Sequence, residues 1–160
     1  MQWIKHQPFI TVSAILEKDG EFILVKETKK IAEGLWNIPG RRLEQGENPI
    51  EGVKREIKEE TRYDFELTYL LGIYSIVNKI LENKFQIIPH IIDLTFIGKL
   101  LDKDEEKLLD DVSAMKWFKF EEIEKMNSDS LRDPCMIEMI KDYINGVKYP
   151  LNIIKHYVIS

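Results

Sequence analysis

The sequence is poor in cysteine, since Cys135 is the only one among 160 residues. An internal disulfide is therefore excluded, and the fold must be stabilised by a hydrophobic core. A chain of this length with 44% hydrophobic residues can bury such a core. Glycine and proline are scarce as well, at eight and six residues, and nowhere form a linker or a low-complexity segment. We therefore predict a single domain that spans residues 1–160.

Long apolar runs are also missing. No stretch approaches the roughly 20 apolar residues that a membrane-spanning helix needs. The first residues lack the basic segment and apolar run of a signal peptide. The lone cysteine fits a reducing compartment. We therefore expect a cytoplasmic protein that has no membrane partner.

Positive charge is in deficit, with 23 Lys and Arg against 28 Asp and Glu and a net charge of −5. No Lys/Arg run marks a basic face, so nucleic acid is not an expected partner. An acidic protein also repels other anions. If the ligand carries phosphate groups, metal ions must lie between the phosphates and the acidic side chains.

The hydrophobic pattern that is present predicts mostly strands, with a helix in the middle of the chain and two near its end. The predicted strands are residues 9–16, 21–26, 35–38, 65–77, 85–99 and 114–118, and the predicted helices are residues 49–61, 121–126 and 134–145. Asp19-Gly20 is predicted to be a hairpin turn and residues 102–111 an acidic loop. This order favours an α/β fold, a mixed sheet packed by helices on its faces.

The middle helix places three carboxylates on one face. At about 100° per residue, Glu59 lies about 60° to one side of Glu56 and Glu60 about 40° to the other. A hard divalent cation can turn this repulsive group into a binding site, because Mg²⁺ and Mn²⁺ prefer carboxylate oxygens. Taken alone, the segment is more typical of a solvated acidic face.

The surrounding residues carry a specific resemblance. Glu47 is followed by seven residues and then by Arg55-Glu56-Ile57-Lys58-Glu59-Glu60. This resembles the Nudix box, the loop–helix–loop motif of the Nudix hydrolases, over about residues 41–63. The chain departs from that motif where Arg41 and Arg62 stand at its glycine positions and Tyr63 replaces an aliphatic residue. We expect these changes to affect the shape of the loops rather than the carboxylates.

The resemblance implies a Nudix α/β/α sandwich with a central mixed sheet, and a hydrolase in which water attacks phosphorus. It implies Mg²⁺ or Mn²⁺ held by Glu56, Glu59 and Glu60. It also implies a backbone oxygen near Gly40 as a further ligand. Asp111, just before a strand, is a candidate for an additional acidic ligand.

The resemblance assigns supporting roles as well. Arg55 and Glu47 would fix the loop against the helix by ion pairing. The general base would be Glu59 or Glu60, with an acidic residue from a later loop as the rival.

Two residues are candidates for binding the substrate. Trp36 has a ring that can stack on a heterocycle, although such a tryptophan more often belongs partly to the core. Arg42 has a guanidinium group that suits a phosphate, although a solvent-exposed loop arginine is the alternative.

The sequence Gly146-Val147-Lys148-Tyr149-Pro150-Leu151 looks like the tail of the Nudix subgroup described as phosphatases of thiamine-related pyrophosphates and nucleoside di- and triphosphates. The leading hypothesis is therefore a metal-dependent hydrolase of such small-molecule substrates, as a monomer or homodimer. The first alternative is an ADP-ribose, sugar-nucleotide or dinucleoside pyrophosphatase. The second is a non-catalytic nucleotide-binding module.

Overall fold

A computed structural model describes residues 7–30, 32–80, 89–103 and 112–160 of the chain. The strands are β1 (Phe9–Ile15), β2 (Glu17–Lys18), β3 (Glu21–Glu27), β4 (Trp36–Asn37), β5 (Gly40–Arg42), β6 (Tyr63–Val77), β7 (His90–Lys103) and β8 (Val112–Lys119). The α-helices are α1 (Pro49–Thr61), α2 (Phe120–Ile123) and α3 (Met136–Ile144), and a 3₁₀ turn follows at Leu151–Ile153. No helix within these residues is long and apolar enough to cross a membrane.

The strands form two four-stranded sheets. The first has the order β5-β1-β7-β6 and is mixed, because β1 runs parallel to β7 while the other pairs are antiparallel. In the second sheet β3 pairs antiparallel with β2 and β4 and also with β8. The expected α/β fold with a mixed sheet is confirmed, and its strands divide between two sheets.

Neighbouring residues on the strands point into two separate cores. One core contains Ala14, Ile23 and Phe96 together with Val53 and Ile57 of α1. The other contains Ile15, Leu24 and Ile97 together with Ile123 of α2 and Ile140 of α3. Because successive side chains of a strand face opposite sides, α1 packs on one face of the sheets and the later helices on the other. The result is three layers in the order α/β/α.

Helix α1 begins and ends where its sequence predicts. The Asn48 side chain accepts a hydrogen bond from the backbone N–H of Ile50 at 3.0 Å and caps the first turn. Pro49 occupies the first helical position, where its missing N–H costs nothing. Arg62 ends the helix in the left-handed conformation, with φ of 65°. The helix thus has the predicted bounds.

A buried polar cluster joins β1 to β7. Asp93 is 5% exposed and accepts hydrogen bonds from Ser13 and Thr95 at 2.6 Å each, and a third from Thr11. These bonds satisfy a carboxylate that would otherwise be costly to bury. They also fix the part of β1 against which β5 packs.

Several predicted elements shift. Residues 40–42, where no strand was predicted, form β5 because they pair with β1. The strand predicted at 85–99 is described from His90 and runs to Lys103, and the one at 114–118 is longer, at Val112–Lys119. Both late helices are shorter than predicted, and the 3₁₀ turn was not predicted. Residues 104–111 of the predicted acidic loop lie outside the described residues.

Candidate active site

The three glutamates of α1 differ in exposure although they share one helical face. Glu56 is 1% exposed and Glu60 5%, whereas the Glu59 side chain is 34% exposed. The face is therefore not a solvated acidic surface. The carboxylates of Glu56 and Glu60 are buried, and that of Glu59 is partly exposed to solvent.

Gly40 meets Glu60 where β5 passes the helix. The backbone N–H of Gly40 donates a hydrogen bond to Oε2 of Glu60 at 2.7 Å. Gly40 has φ of 153°, and a Cβ atom there would lie 2.4 Å from the carbonyl oxygen of Val12. Only glycine fits this approach of two backbones. The contact sets the position of α1 relative to β5.

Arg55 joins the loop before α1 to the carboxylate face. Its Nε and Nη2 donate to Glu47 at 2.9 and 3.2 Å, and Nη1 donates to Glu56 at 2.6 Å and to Glu59 at 3.4 Å. The hydrogen bond from Arg55 lowers the pKa of Glu47, and the same bond raises the pKa of Arg55. Each nitrogen of this guanidinium therefore already donates to a carboxylate.

The buried carboxylates have raised pKa values. Burial, together with the negative charges of Glu27 and Glu56, raises the pKa of Glu60 to about 8, against the lowering effect of the Gly40 hydrogen bond. Burial also raises the pKa of Glu56, although Arg55 and Arg41 act in the opposite direction. A bound cation would stabilise the charged form of both carboxylates, because it replaces the water that burial removes.

One carboxylate oxygen of Glu56 has no hydrogen-bond donor in the described part of the chain, which favours a cation at this position. Its Oε2 is buried and accepts no hydrogen bond from any described residue, and Nε of Arg41 lies 3.6 Å away. Among the described residues, no three acidic, histidine or cysteine side chains already converge on one point. The donor set of three carboxylates within two helical turns, with one buried oxygen of Glu56 not hydrogen-bonded in the described ranges, nevertheless fits Mg²⁺ or Mn²⁺.

The comparison with known proteins decides the family. A model of the NUDIX domain matches residues 6–139. The chain belongs to the Nudix family. It is similar to phosphatase NudJ of Escherichia coli strain K12, with 28% identity over 148 residues that cover 92% of this chain and 91% of that one.

Solved structures agree with this Nudix assignment. A NUDIX hydrolase from Nitrosomonas europaea superposes with a TM-score of 0.83 at 32% identity, covering 94% of this chain and 98% of that one. The NUDIX domain of NrtR from Shewanella oneidensis, solved in complex with ADP ribose, superposes with a TM-score of 0.66 at 16% identity. That match covers 87% of this chain and 90% of the other, and it supports the fold alone. The chain is a Nudix hydrolase.

The two arginines at glycine positions of the Nudix box are accommodated differently. Arg41 lies in β5 opposite Val12 in a regular strand, and the neighbouring Gly40 makes the close approach. Arg62 does adopt the conformation that favours glycine, and its N–H donates to the carbonyl of Lys58 at 3.0 Å. This left-handed conformation costs a residue with a side chain roughly 1 kcal/mol. Tyr63 in turn packs its ring edge-on against Trp117 at 6.4 Å.

The candidate substrate residues lie in different surroundings. Trp36 is half-buried, with its ring 5.0 Å from that of Phe118 in an edge-on arrangement, so at least part of it belongs to the core. Arg42 is exposed, with its guanidinium 5.2 Å from the ring centre of Phe9. Asp111 lies outside the described residues.

A second pair of charged residues lies near the carboxylates and was not predicted. Nη1 of Arg132 donates to Oε1 of Glu27 at 3.0 Å, and Glu27 is close enough to Glu60 to raise its pKa. Asn37 also donates to Glu27, at 3.3 Å. Glu27 ends β3 without any motif, and Arg132 follows it by more than a hundred residues. Only the sheet pairing brings them together.

Proposed function

We propose that this Nudix hydrolase cleaves pyrophosphate bonds in small organic di- and triphosphates with the help of Mg²⁺ or Mn²⁺. The observation that carries the proposal is the buried pair Glu56 and Glu60, fixed by Arg55 and by the N–H of Gly40. Unsatisfied carboxylate burial is expensive, and a divalent cation that binds the substrate phosphates compensates for it.

In this proposal Glu56, Glu59 and Glu60 hold the cation, which would neutralise phosphate charge and activate water for attack on phosphorus. The backbone around Gly40 contributes a further oxygen, and Asp111 stays a candidate for another. Arg55 and Glu47 are positioning residues, since their hydrogen bonds fix the loop before α1 against its carboxylates.

The proton of the attacking water must pass to a base. Glu60 has a pKa near 8, so without a cation it is mostly protonated at neutral pH, and a bound cation would be needed to keep it ionised. Glu59 is exposed and reaches solvent. We therefore favour Glu59 as the base and Glu60 as a ligand.

The substrate class is proposed from the relatives and the tail. NudJ is named as a phosphatase, and the Gly146–Leu151 sequence resembles the thiamine-pyrophosphate and nucleotide phosphatases. We therefore propose nucleotides or thiamine-type pyrophosphates as substrates, with phosphate as a product. Trp36 would stack on the heterocycle and Arg42 would contact phosphate at the rim.

The experiment is an assay of phosphate release from ADP, ATP, thiamine pyrophosphate and ADP-ribose, with Mg²⁺, Mn²⁺ or EDTA. Products are separated by chromatography, because AMP from ADP-ribose would instead indicate the sugar-nucleotide alternative. Glu60→Gln should lose at least about 100-fold in kcat. Glu51→Gln is the matched control, since Glu51 is on the same helix but its side chain is 66% exposed.

Two outcomes would contradict the proposal. Turnover that persists undiminished in EDTA would remove the metal from the mechanism. Absence of turnover on every substrate, combined with nucleotide binding that needs no cation, would favour the non-catalytic module.

A further inference from the structure

The pair Glu27–Arg132 lies beside the carboxylates of α1 but belongs to other elements. Glu27 ends β3, and Arg132 precedes α3. Their side chains are 14% and 22% exposed, with Nη1 and Oε1 at 3.0 Å. Such a half-buried ion pair is screened less than a surface pair. Asn37, which donates to Glu27 at 3.3 Å, lies three residues before Gly40, whose N–H donates to Glu60 at 2.7 Å. The pair therefore puts a cation near the site that the box motif does not include.

The backbone of Arg132 is held firmly. Its N–H donates to the carbonyl of Trp36 at 3.0 Å, and the N–H of Trp36 donates to Ser130 at 2.8 Å. The Asn78 side chain donates to the Arg132 carbonyl at 3.1 Å. Leu131 between them is fully buried. Residues 130–132 therefore form an isolated β-bridge with β4. This bridge fixes the backbone from which the Arg132 side chain extends.

The guanidinium of Arg132 has donors to spare. Among the described residues, its one hydrogen bond is that from Nη1 to Glu27. Nε is buried and makes none, with Oδ2 of Asp133 at 3.7 Å. Nη2 also makes no hydrogen bond to the described residues and is not among the buried unpaired atoms. Its N–H groups can therefore donate to an anionic oxygen that arrives from solvent.

A phosphate chain near α1 would gain from a protein cation as well as from metal ions. Arg55 already uses four of its five N–H donors on Glu47, Glu56 and Glu59. A guanidinium group with free N–H donors matches the spacing of two phosphate oxygens. Glu27 holds the guanidinium beside the site and leaves most of its donors unused.

We propose that Arg132 binds non-bridging oxygens of the substrate's pyrophosphate group, with Glu27 as the residue that positions it. This inference rests on the proposed function for the identity of the ligand. It adds a phosphate-binding residue from outside the Nudix box. The recognised group is a diphosphate, irrespective of the organic part attached to it.

The test measures binding of methylenediphosphonate, a non-hydrolysable pyrophosphate analogue, by calorimetry in Mg²⁺. Arg132→Gln should raise its Kd by about ten- to a hundred-fold, as expected for hydrogen bonds to a charged group. Arg132→Lys keeps the positive charge but lacks the two parallel N–H donors of the guanidinium, so its Kd should lie between those of wild type and Arg132→Gln. Glu27→Gln should raise Kd a few-fold, because the arginine is then held less firmly. Lys141→Gln removes a positive charge from the exposed face of α3 and is the control.

A purely structural role would give a different pattern. Steady-state kinetics of the Arg132 variants should show a raised KM with kcat changed by less than about three-fold, and thermal unfolding checks that each variant is folded. An unchanged Kd in folded Arg132→Gln or Arg132→Lys, or an equal loss in Lys141→Gln, would overturn the inference. Wild-type protein that fails to bind the analogue would overturn it too. Wild-type protein that binds it through Arg132 but hydrolyses nothing would leave the inference standing and remove the proposed function.

Discussion

Arg55 and Arg132 both pair with glutamates near the same carboxylate face, but they are used differently. Arg55 donates from all three of its nitrogens to Glu47, Glu56 and Glu59. Arg132 makes a single described hydrogen bond, to Glu27. These bonds use four of the five N–H donors of Arg55, so this arginine mainly fixes geometry. Arg132 uses one of its five within the described residues, and its remaining N–H groups can donate to a ligand. This difference in donor use distinguishes a positioning arginine from the binding arginine that we propose.

The largest effect should distinguish the glutamates that the two arginines hold. Glu56→Gln removes a proposed metal ligand and should lower kcat by about 100-fold or more, and also raise the Mg²⁺ concentration for half-activation. Glu27→Gln should instead act mainly on KM, by a few-fold. Steady-state kinetics over a Mg²⁺ series measure both. Glu138→Gln, an exposed pair member on α3, is the control. Equal changes of kcat and KM in Glu27→Gln and Glu56→Gln would contradict the different roles given to the two glutamates.

A lysine at position 55 should give the opposite kinetic split from a lysine at position 132. Arg55→Lys breaks the fork onto Glu47 and releases the loop, so kcat and Mg²⁺ affinity should fall by about 10- to 100-fold while KM changes little. Arg132→Lys should raise KM with little change in kcat. Measuring both parameters at saturating Mg²⁺ is sufficient. If both variants alter KM alone, Arg55 also contacts the substrate.

A smaller effect concerns pH, because burial and ion pairing move the two glutamate pKa values in opposite directions. Glu60 has a pKa of about 8 in the folded protein against an ordinary 4.5. Between these values the unfolded chain has lost a proton that the folded protein keeps. The free energy of unfolding therefore falls as pH rises from 4.5 to 8, by at most about 1.4 kcal/mol per unit. The pKa of Glu47 is lowered from its ordinary value of 4.5. Its contribution to the free energy of unfolding is therefore lost when the pH falls below that value.

The measurement is the melting temperature in EDTA between pH 5.5 and 8.5. Wild-type protein should melt progressively lower, and Glu60→Gln should have a flatter profile. Glu51→Gln should follow the wild type. Parallel profiles for wild type and Glu60→Gln would contradict the raised pKa.

The smallest effect is expected at the end of α1, away from both arginine clusters. Arg62→Gly relieves the left-handed conformation of a side-chain-bearing residue and should raise the free energy of unfolding by at most about 1 kcal/mol. Activity should stay within about two-fold, since the carboxylates do not move. Chemical denaturation and the phosphate assay measure the two quantities. A large loss of activity would give Arg62 a role in the site.

Local sequence was sufficient to predict α1 and its relation to the box. Asn48, Pro49 and the spacing of Val53 and Ile57 predict the helix within its observed bounds, and the carboxylate face follows from its period. The metal-binding oxygen predicted near Gly40 stays a prediction, and the structure shows the N–H of Gly40 bonded to Glu60. These features depend on residues close together in the chain.

Features that depend on sheet pairing were not predictable in the same way. Residues 40–42 lack a strand-like pattern and become β5 because β1 pairs with them. Glu27 and Arg132 meet only because Trp36 lies next to both β3 and the Leu131 segment. Long-range pairing leaves no periodic signal in a single sequence. The roles predicted for the site residues stay predictions until the variants are measured.

The attachment of the Leu131 segment to β4 has a consequence for biosynthesis. The helix that bears the carboxylates leaves the ribosome well before Arg132, because synthesis proceeds from the N-terminus. A nascent chain that ends before Leu131 therefore lacks the arginine that pairs with Glu27. That pair can form only after residues 130–132, whose backbone bonds to Trp36 on both sides, have been synthesised.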